Sequence, residues 1–149
     1  MIRIFLILFL ALLISCGGEK KNTGADKAYA LLEEVWNYNS SGEKQTALLL
    51  ADSALAMGGA DTTRCWLMCE KAVALQDMGR TADAVRTGTE ALRLADKIGD
   101  TEAIMNLHGT LGIAYRREGK LDSAVCEYKK GLEMAVREHN AEYEIYLNN

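Results

Sequence analysis

From about residue 27 onward, apolar and polar positions alternate with the period of an α-helix. On either side of Gly119 the apolar residues recur at spacings of three and four, which places them on one face of each segment. They are Ile104, Leu107, Leu111, Ala114 and Tyr115 before the glycine, and Leu121, Ala124, Val125, Tyr128 and Leu132 after it. The pattern predicts two amphipathic helices that meet at a glycine, a residue suited to the left-handed conformation that ends many helices.

This pattern of helix, glycine and helix occurs three times. The glycines are Gly42, Gly79 and Gly119, which lie 37 and 40 residues apart. An alanine follows each glycine by five residues, a second small residue stands seven positions later, and a leucine comes next. The small residues are Ala47, Ala54, Ala84, Ala91, Ala124 and Gly131. Recurrence at this period predicts an all-α stack of helical hairpins, in which small residues let the paired helices approach closely.

The third unit, HGTLGIAYRREGKLDSAVCEYKKGLEMA, resembles the tetratricopeptide repeat (TPR) family. Leu111, Gly112 and Tyr115 stand at the family's Leu-Gly-x-x-Tyr positions on the first helix, and Ala124 and Tyr128 stand at its second-helix positions. The sequence departs from the family in three ways. A glycine replaces the second alanine, the proline between repeats is missing, and the unit is longer than the usual 34 residues.

The resemblance covers roughly residues 27–149 and implies a TPR helical-hairpin solenoid of about three repeats. A fourth first helix begins at residue 141, because AEYEIYLNN aligns on TEAIMNLHG of the third unit. This helix would have only about two turns, and helices that short are marginal alone. We therefore expect the chain to be truncated within a fourth repeat.

The amino-terminal residues follow a different pattern. An apolar run of eleven residues, from Ile4 to Ile14, follows Arg3. A membrane-spanning helix needs about 20 apolar residues, so this run is typical of a secretory signal peptide. Its end, LISC, resembles the bacterial lipobox, which implies diacylglycerol on the Cys16 thiol and cleavage before that residue. The alternatives are an uncleaved signal anchor, or an ordinary signal peptide in which Cys16 is incidental.

The sequence thus predicts a lipoprotein signal peptide over 1–15, a flexible polar tether over 16–26 and a repeat domain over 27–149. A lipid on Cys16 would hold the protein at a bacterial membrane, on its periplasmic or outer face, since each buried methylene contributes about 0.8 kcal/mol. The formal net charge is -4, and no stretch is basic enough to follow a nucleic-acid backbone. Nucleic acid is therefore not an expected partner.

Candidate chemistry is sparse along the chain. The two histidines, His108 and His139, lie in no recognisable nucleophile motif, and there is no phosphate-binding glycine loop. CWLMC places Cys65 and Cys69 four residues apart on one helix face, and His108 would be a third metal ligand, but zinc normally needs a fourth. Packing of two small cysteines between helices is the favoured interpretation. We expect no catalysis, no cofactor and no metal.

The TPR resemblance also implies a concave groove lined by the first helices. The corresponding positions are Tyr29, Leu32, Trp36, Trp66, Cys69, Val73, Gln76, Asn106, Gly109, Ile113 and Arg116. The row is mostly apolar, whereas TPR proteins that hold a terminal carboxylate place Lys, Asn and Arg there, so a clamp of that kind is not supported. An apolar groove suits a helix or an apolar peptide face, and equally burial against further repeats. For both tryptophans, packing in the core is the favoured role.

These features together predict a membrane-anchored TPR module that acts as a scaffold for protein–protein interaction, with a protein or peptide as its partner. The alternative is an extracytoplasmic TPR sensor, the amino-terminal part of a longer membrane-spanning signalling or transcription regulator. That alternative rests on analogy with the family and on the abrupt end of the chain.

Overall fold

The computed structural model describes residues 23–138, which form six helices and no strand. The helices are Gly24–Ser41 (α1), Lys44–Ala56 (α2), Asp61–Asp77 (α3), Thr81–Ile98 (α4), Thr101–Arg117 (α5) and Leu121–Arg137 (α6). Each pair of helices predicted around a glycine is present. The prediction of an all-α repeat fold is confirmed.

The helices pack as three successive hairpins in two layers. Each helix contacts the next one along the chain, and α3 also contacts both α1 and α5. The first helices of the three hairpins therefore form one continuous layer, while α2, α4 and α6 lie on the other side. This arrangement is a helical-hairpin solenoid, in which each repeat is stabilised by its neighbours. The layer of first helices contains the candidate groove.

Each hairpin turns at a glycine in the left-handed conformation. Gly42, Gly79 and Gly119 have φ values of 88°, 76° and 75°. In all three turns the amide after the glycine donates to the carbonyl five residues earlier, at 2.8 to 2.9 Å. This bond belongs to the Schellman arrangement, which satisfies the last carbonyl groups of a helix. A residue with a β-carbon would be strained at these φ values, so the glycine at the centre of each repeat has a conformational cause.

The small residues of the repeat lie in the helix interfaces. Ala47, Ala54, Ala84 and Ala91 are 0% exposed, Ala124 is 2% exposed and Gly131 is buried. Leu111 is also buried, and Tyr115 and Tyr128 are partly buried. At Gly112 the approach is so close that an added β-carbon would lie 2.4 Å from Cε1 of Tyr128. The prediction that paired helices approach closely at the small residues is therefore confirmed.

The helix starts differ in how they are capped. Asp100 caps α5, because its Oδ1 accepts a hydrogen bond from the amide of Ala103 at 3.0 Å. Asp61 does not cap α3, since the helix begins on this residue. Its carboxylate forms ion pairs with Arg64 at 3.1 Å and with Lys97 of α4 at 3.0 Å. These are surface contacts that solvent screens, and they add little stability.

The first helix begins earlier than the sequence indicates. Because α1 starts at Gly24, the last three residues of the predicted tether, 24–26, are helical, and the tether prediction is wrong there. The physical reason is a capping box. Oγ1 of Thr23 accepts a hydrogen bond from the amide of Asp26 at 3.3 Å, and Oδ2 of Asp26 accepts one from the amide of Thr23 at 3.0 Å.

Residues 1–22 and 139–149 lie outside the part of the chain that the structure describes. The signal peptide, Cys16, most of the tether and the truncated fourth repeat fall in those two ranges and stay predictions. Between residues 23 and 138, no helix combines the length and the apolar character needed to cross a membrane.

Candidate functional site

A cavity of about 490 Å³ opens on the layer of first helices. Four of its lining residues come from one face of α1, and α3 and α5 contribute two each. They are Tyr29, Leu32, Glu33, Trp36, Trp66, Glu70, Glu102 and Asn106. Because α3 contacts both α1 and α5, it brings the three helix faces together. The cavity is within the size range of ligand sites in proteins.

Three aromatic side chains line the cavity, and two of them are largely exposed. Tyr29 is 69% exposed and Trp36 is 57% exposed. Trp66 is partly buried against the core between the second and third hairpins, and its Nε1 donates to Oδ2 of Asp100 at 3.0 Å. The expectation that both tryptophans pack in the core is therefore wrong for Trp36. Trp66 combines core packing with a place in the cavity wall.

Three glutamates also line the cavity, one from each helix. Glu70 is only 7% exposed, and its Oε2 accepts a hydrogen bond from Nδ2 of Asn39 at 2.7 Å. Burial raises the pKa of Glu70, and this effect outweighs the hydrogen bond from Asn39 and the positive charge of Lys44, which both lower it. Among the described residues, no basic side chain forms a salt bridge with Glu33, Glu70 or Glu102. The cavity therefore contains carboxylates that form no direct ion pair with a basic side chain of residues 23–138.

Asn39 joins α1 to α3 behind Glu70. Its Nδ2 donates to Oε2 of Glu70 and also to the backbone carbonyl of Glu70, at 3.0 Å. These two acceptors fix the direction in which the amide group points. Its Oδ1 is then buried without a hydrogen-bond partner in the part of the chain that the structure describes. Buried polar atoms without partners are rare and costly. Asn39 is not among the residues that line the cavity, so this oxygen belongs to the packing between α1 and α3.

The structure brings some of the predicted groove residues together and leaves others outside the cavity. The cavity contains Tyr29, Leu32, Trp36, Trp66 and Asn106. Val73 and Ile113 are partly buried and Arg116 is exposed, but none of the three lines this cavity. A role of these residues in partner binding stays a prediction.

Three predicted groove positions are not available at the surface. Cys69 is 1% exposed, Gln76 is 5% exposed and Gly109 is buried. The side chain of Gln76 donates through Nε2 to Oδ1 of Asp77 at 2.9 Å. The reason lies in the position of α3, which is covered by α1, α2, α4 and α5. Its exposed face is therefore narrower than the family pattern implies, and the groove assignment of these three residues is corrected.

Cys65 and Cys69 belong to the packed core. Both are buried, and Sγ of Cys65 makes a weak hydrogen bond to the carbonyl of Ala91 at 3.8 Å. The Cys65 sulfur and burial together raise the pKa of Cys69 well above its usual value. His108 contacts α6, since its Nδ1 lies 2.7 Å from Oε2 of Glu127. Within residues 23–138 no group of three or more His, Cys, Asp or Glu side chains is placed to hold a metal ion.

The sequence pattern does not identify the three glutamates of the cavity, although a signal for them exists. Each stands one helical turn from a predicted groove residue: Glu33 from Tyr29, Glu70 from Trp66 and Glu102 from Asn106. Residues four apart lie on the same helix face. A search one helical turn before and after each predicted groove residue would have found all three glutamates.

Comparison with known proteins relates part of the chain to one family. A family model described as tetratricopeptide repeat matches residues 63–135. The match runs from the third residue of α3 almost to the end of α6, so it covers the second and third hairpins. No curated protein and no solved structure matches the chain. The first hairpin, which supplies half of the cavity lining, lies before the matched residues.

Proposed function

We propose that this chain, whose residues 63–135 match the tetratricopeptide repeat family, is a protein-interaction module that holds a partner peptide in the cavity formed by α1, α3 and α5. The proposal includes a lipid anchor on Cys16, which would make the protein a membrane-tethered scaffold on the periplasmic or outer face of a bacterial membrane. No catalytic step is part of the proposal.

The exposed Trp36 is the observation that best supports this function. More than half of this side chain is exposed on the wall of a cavity, and Tyr29, two turns away on the same face of α1, is 69% exposed. A tryptophan buries about 150–250 Å² when a partner covers it, and interface hot spots are enriched in tryptophan and tyrosine. A partner that covered these two rings would bury a large apolar area at little cost in side-chain entropy.

The binding role is tested by photocrosslinking in the intact membrane-bound protein. A photoreactive phenylalanine analogue replaces Trp36 in one sample and Leu49 in another. Leu49 is a matched control because it is 59% exposed but lies on α2, in the other layer. We expect a discrete crosslinked protein, identified by mass spectrometry, from position 36 alone. When the identified partner is co-purified with the protein without a crosslinker, Trp36→Ala should abolish its capture and Leu49→Ala should not, while both variants keep the wild-type melting temperature. Equal crosslinking from both positions would refute the proposal.

The lipid anchor is tested by metabolic labelling with an alkyne-bearing fatty acid. The sequence LISC motivates the test, and Cys126→Ala is the matched control because Cys126 is exposed on α6. Wild type and Cys126→Ala should both take up the label and sediment with membranes. Cys16→Ala should do neither. Labelling of Cys16→Ala at the wild-type level would contradict the lipoprotein assignment.

A further inference from the structure

We propose that the cavity recognises a basic side chain of the partner, an arginine guanidinium, held between carboxylates and aromatic rings. The groups involved are the carboxylates of Glu33, Glu70 and Glu102 and the rings of Trp36 and Trp66. This inference rests on the proposed function, because it names the chemistry of the peptide that the module would hold.

The charge of the cavity is uncompensated by its own lining. Among residues 23–138, eight line the cavity, and these include three glutamates and no lysine, arginine or histidine. Elsewhere in residues 23–138, Asp61, Asp77 and Asp83 each pair with two basic side chains. Like charges that share one cavity repel each other, and the repulsion grows as water is excluded. A cationic ligand would remove this repulsion, whereas an acidic peptide would increase it.

Glu70 is the most informative of the three glutamates. It is more than nine-tenths buried and lines the cavity, and a buried carboxylate is costly unless a cation or several donors satisfy it. Within the described residues its side chain receives one hydrogen bond, from the neutral amide of Asn39. That bond uses one acceptor site of Oε2 of Glu70. The remaining acceptor capacity of the Glu70 carboxylate indicates a ligand that brings a positive charge and several N–H groups.

The aromatic rings favour a guanidinium over an ammonium group. A guanidinium is planar, stacks on aromatic faces and donates several hydrogen bonds in its plane, whereas a lysine ammonium is a strongly hydrated point charge. Trp36 and Glu33 share one face of α1, and Trp66 and Glu70 share one face of α3. A guanidinium stacked on the ring of Trp36 would therefore lie near the Glu33 carboxylate, and one stacked on the ring of Trp66 would lie near the Glu70 carboxylate.

The test measures peptide binding to the full-length lipidated protein in nanodiscs. Arrayed heptapeptides have arginine at the centre and varied neutral flanks, and matched peptides have citrulline, lysine or glutamate at that position. The best arginine peptide and its twins are then titrated by intrinsic fluorescence, because both tryptophans of the chain line the cavity. We expect the arginine peptide to bind at least about tenfold more tightly than its citrulline twin, with affinity that falls as salt rises.

Charge-removing variants locate the effect in the cavity. Glu33→Gln and Glu70→Gln should each weaken binding of the arginine peptide about tenfold. Glu34→Gln is the matched control, because Glu34 is the exposed neighbour on α1 and does not line the cavity; it should bind as wild type does. The double variant Lys20→Gln/Lys21→Gln tests whether the chain's own lysines are the occupant. If the arginine peptide bound to this double variant but not to the wild-type protein, the proposal would be overturned.

Other results overturn it as well, and they separate it from the proposed function. Equal affinity for the arginine and citrulline peptides, unchanged affinity in Glu33→Gln and Glu70→Gln, or no arginine peptide that binds would each refute cation recognition. If crosslinking at Trp36 still captures a protein, the interaction function stands and only its chemistry is wrong. If crosslinking also yields nothing, the proposed function fails too.

Discussion

Replacement of Gly112 by alanine tests the close packing between α5 and α6. Gly112 is buried within α5 and faces the ring of Tyr128. An added β-carbon would lie 2.4 Å from Cε1, 2.6 Å from Cδ1 and 2.9 Å from Cζ of that ring. Carbon atoms in contact normally lie about 3.5–4.0 Å apart, so the ring or the backbone must shift by about 1 Å.

Two opposing effects set the size of the change. Alanine within a helix is favoured over glycine by about 1 kcal/mol. An extra methyl group in a packed interior costs about 1–3 kcal/mol, and Gly112→Ala belongs at the upper end because it meets three atoms of a rigid ring. We therefore expect the free energy of unfolding to fall by about 1–2 kcal/mol.

Gly88→Ala is the matched control for this prediction. Gly88 is also buried within a helix, but an added β-carbon would meet Cδ2 of Leu111 at 3.0 Å. That atom is the end of a side chain that can rotate away, so the smaller clash and the gain in helix propensity nearly cancel. The free energy of unfolding should stay within about 1 kcal/mol of wild type. Urea unfolding followed by far-UV circular dichroism measures both variants.

A double variant decides whether the clash with the ring is the cause. Tyr128→Ala removes the ring and will itself destabilise the fold. In that background Gly112→Ala should be neutral or stabilising, so the two substitutions should show a coupling energy on the order of 1–3 kcal/mol. An equal loss in both backgrounds, or no loss in the wild-type background, would refute the packing argument.

Three further predictions follow from individual side chains. Because burial raises the pKa of Glu70, this carboxyl binds a proton more readily in the folded protein than in the unfolded chain, so stability falls as pH rises through the raised pKa. In urea unfolding, Glu70→Gln should therefore be more stable than wild type at pH 7 and equally stable at acid pH. Burial raises the pKa of Glu127, but the hydrogen bonds with Lys130 and His108 lower it more, so the pKa is lowered overall. Glu127→Gln should therefore be less stable than wild type at neutral pH, and the difference in stability should vanish as pH falls through the lowered pKa. Thiol labelling of the native protein should modify Cys126 quickly and the buried Cys65 and Cys69 only after unfolding, and fast labelling of all three would contradict the packing described for them.

The fold was predictable from the sequence because its determinants are local and repeated. The helical period, the left-handed glycine and the small residues each act within one hairpin, and the same set occurs three times. The start of α1 was missed for an equally local reason. The capping box is formed by Thr23 and Asp26, and aspartate is not the glutamate or glutamine of the usual capping pattern.

The candidate site was predictable only in part, because its surface depends on how three hairpins cross. The family pattern identifies Trp36, Trp66 and Asn106, which do share one cavity. It also assigns Gln76 to the groove, but four neighbouring helices cover α3 and leave this side chain buried. Which turn of α3 stays open is set by contacts between repeats, and such contacts cannot be read from the period of a single helix.

The same limitation changes the expected chemistry of the partner. A row of positions taken from the family pattern is mostly apolar and suggests an apolar peptide face. In the structure the cavity wall also includes Glu70 and Glu102, which lie one helical turn from Trp66 and Asn106 on α3 and α5. Apolar rings and unpaired carboxylates in one cavity favour a cation with a flat, weakly hydrated surface over a purely apolar group. Two carboxylates one helical turn from the predicted groove residues thus give the proposed site the chemistry to select an arginine.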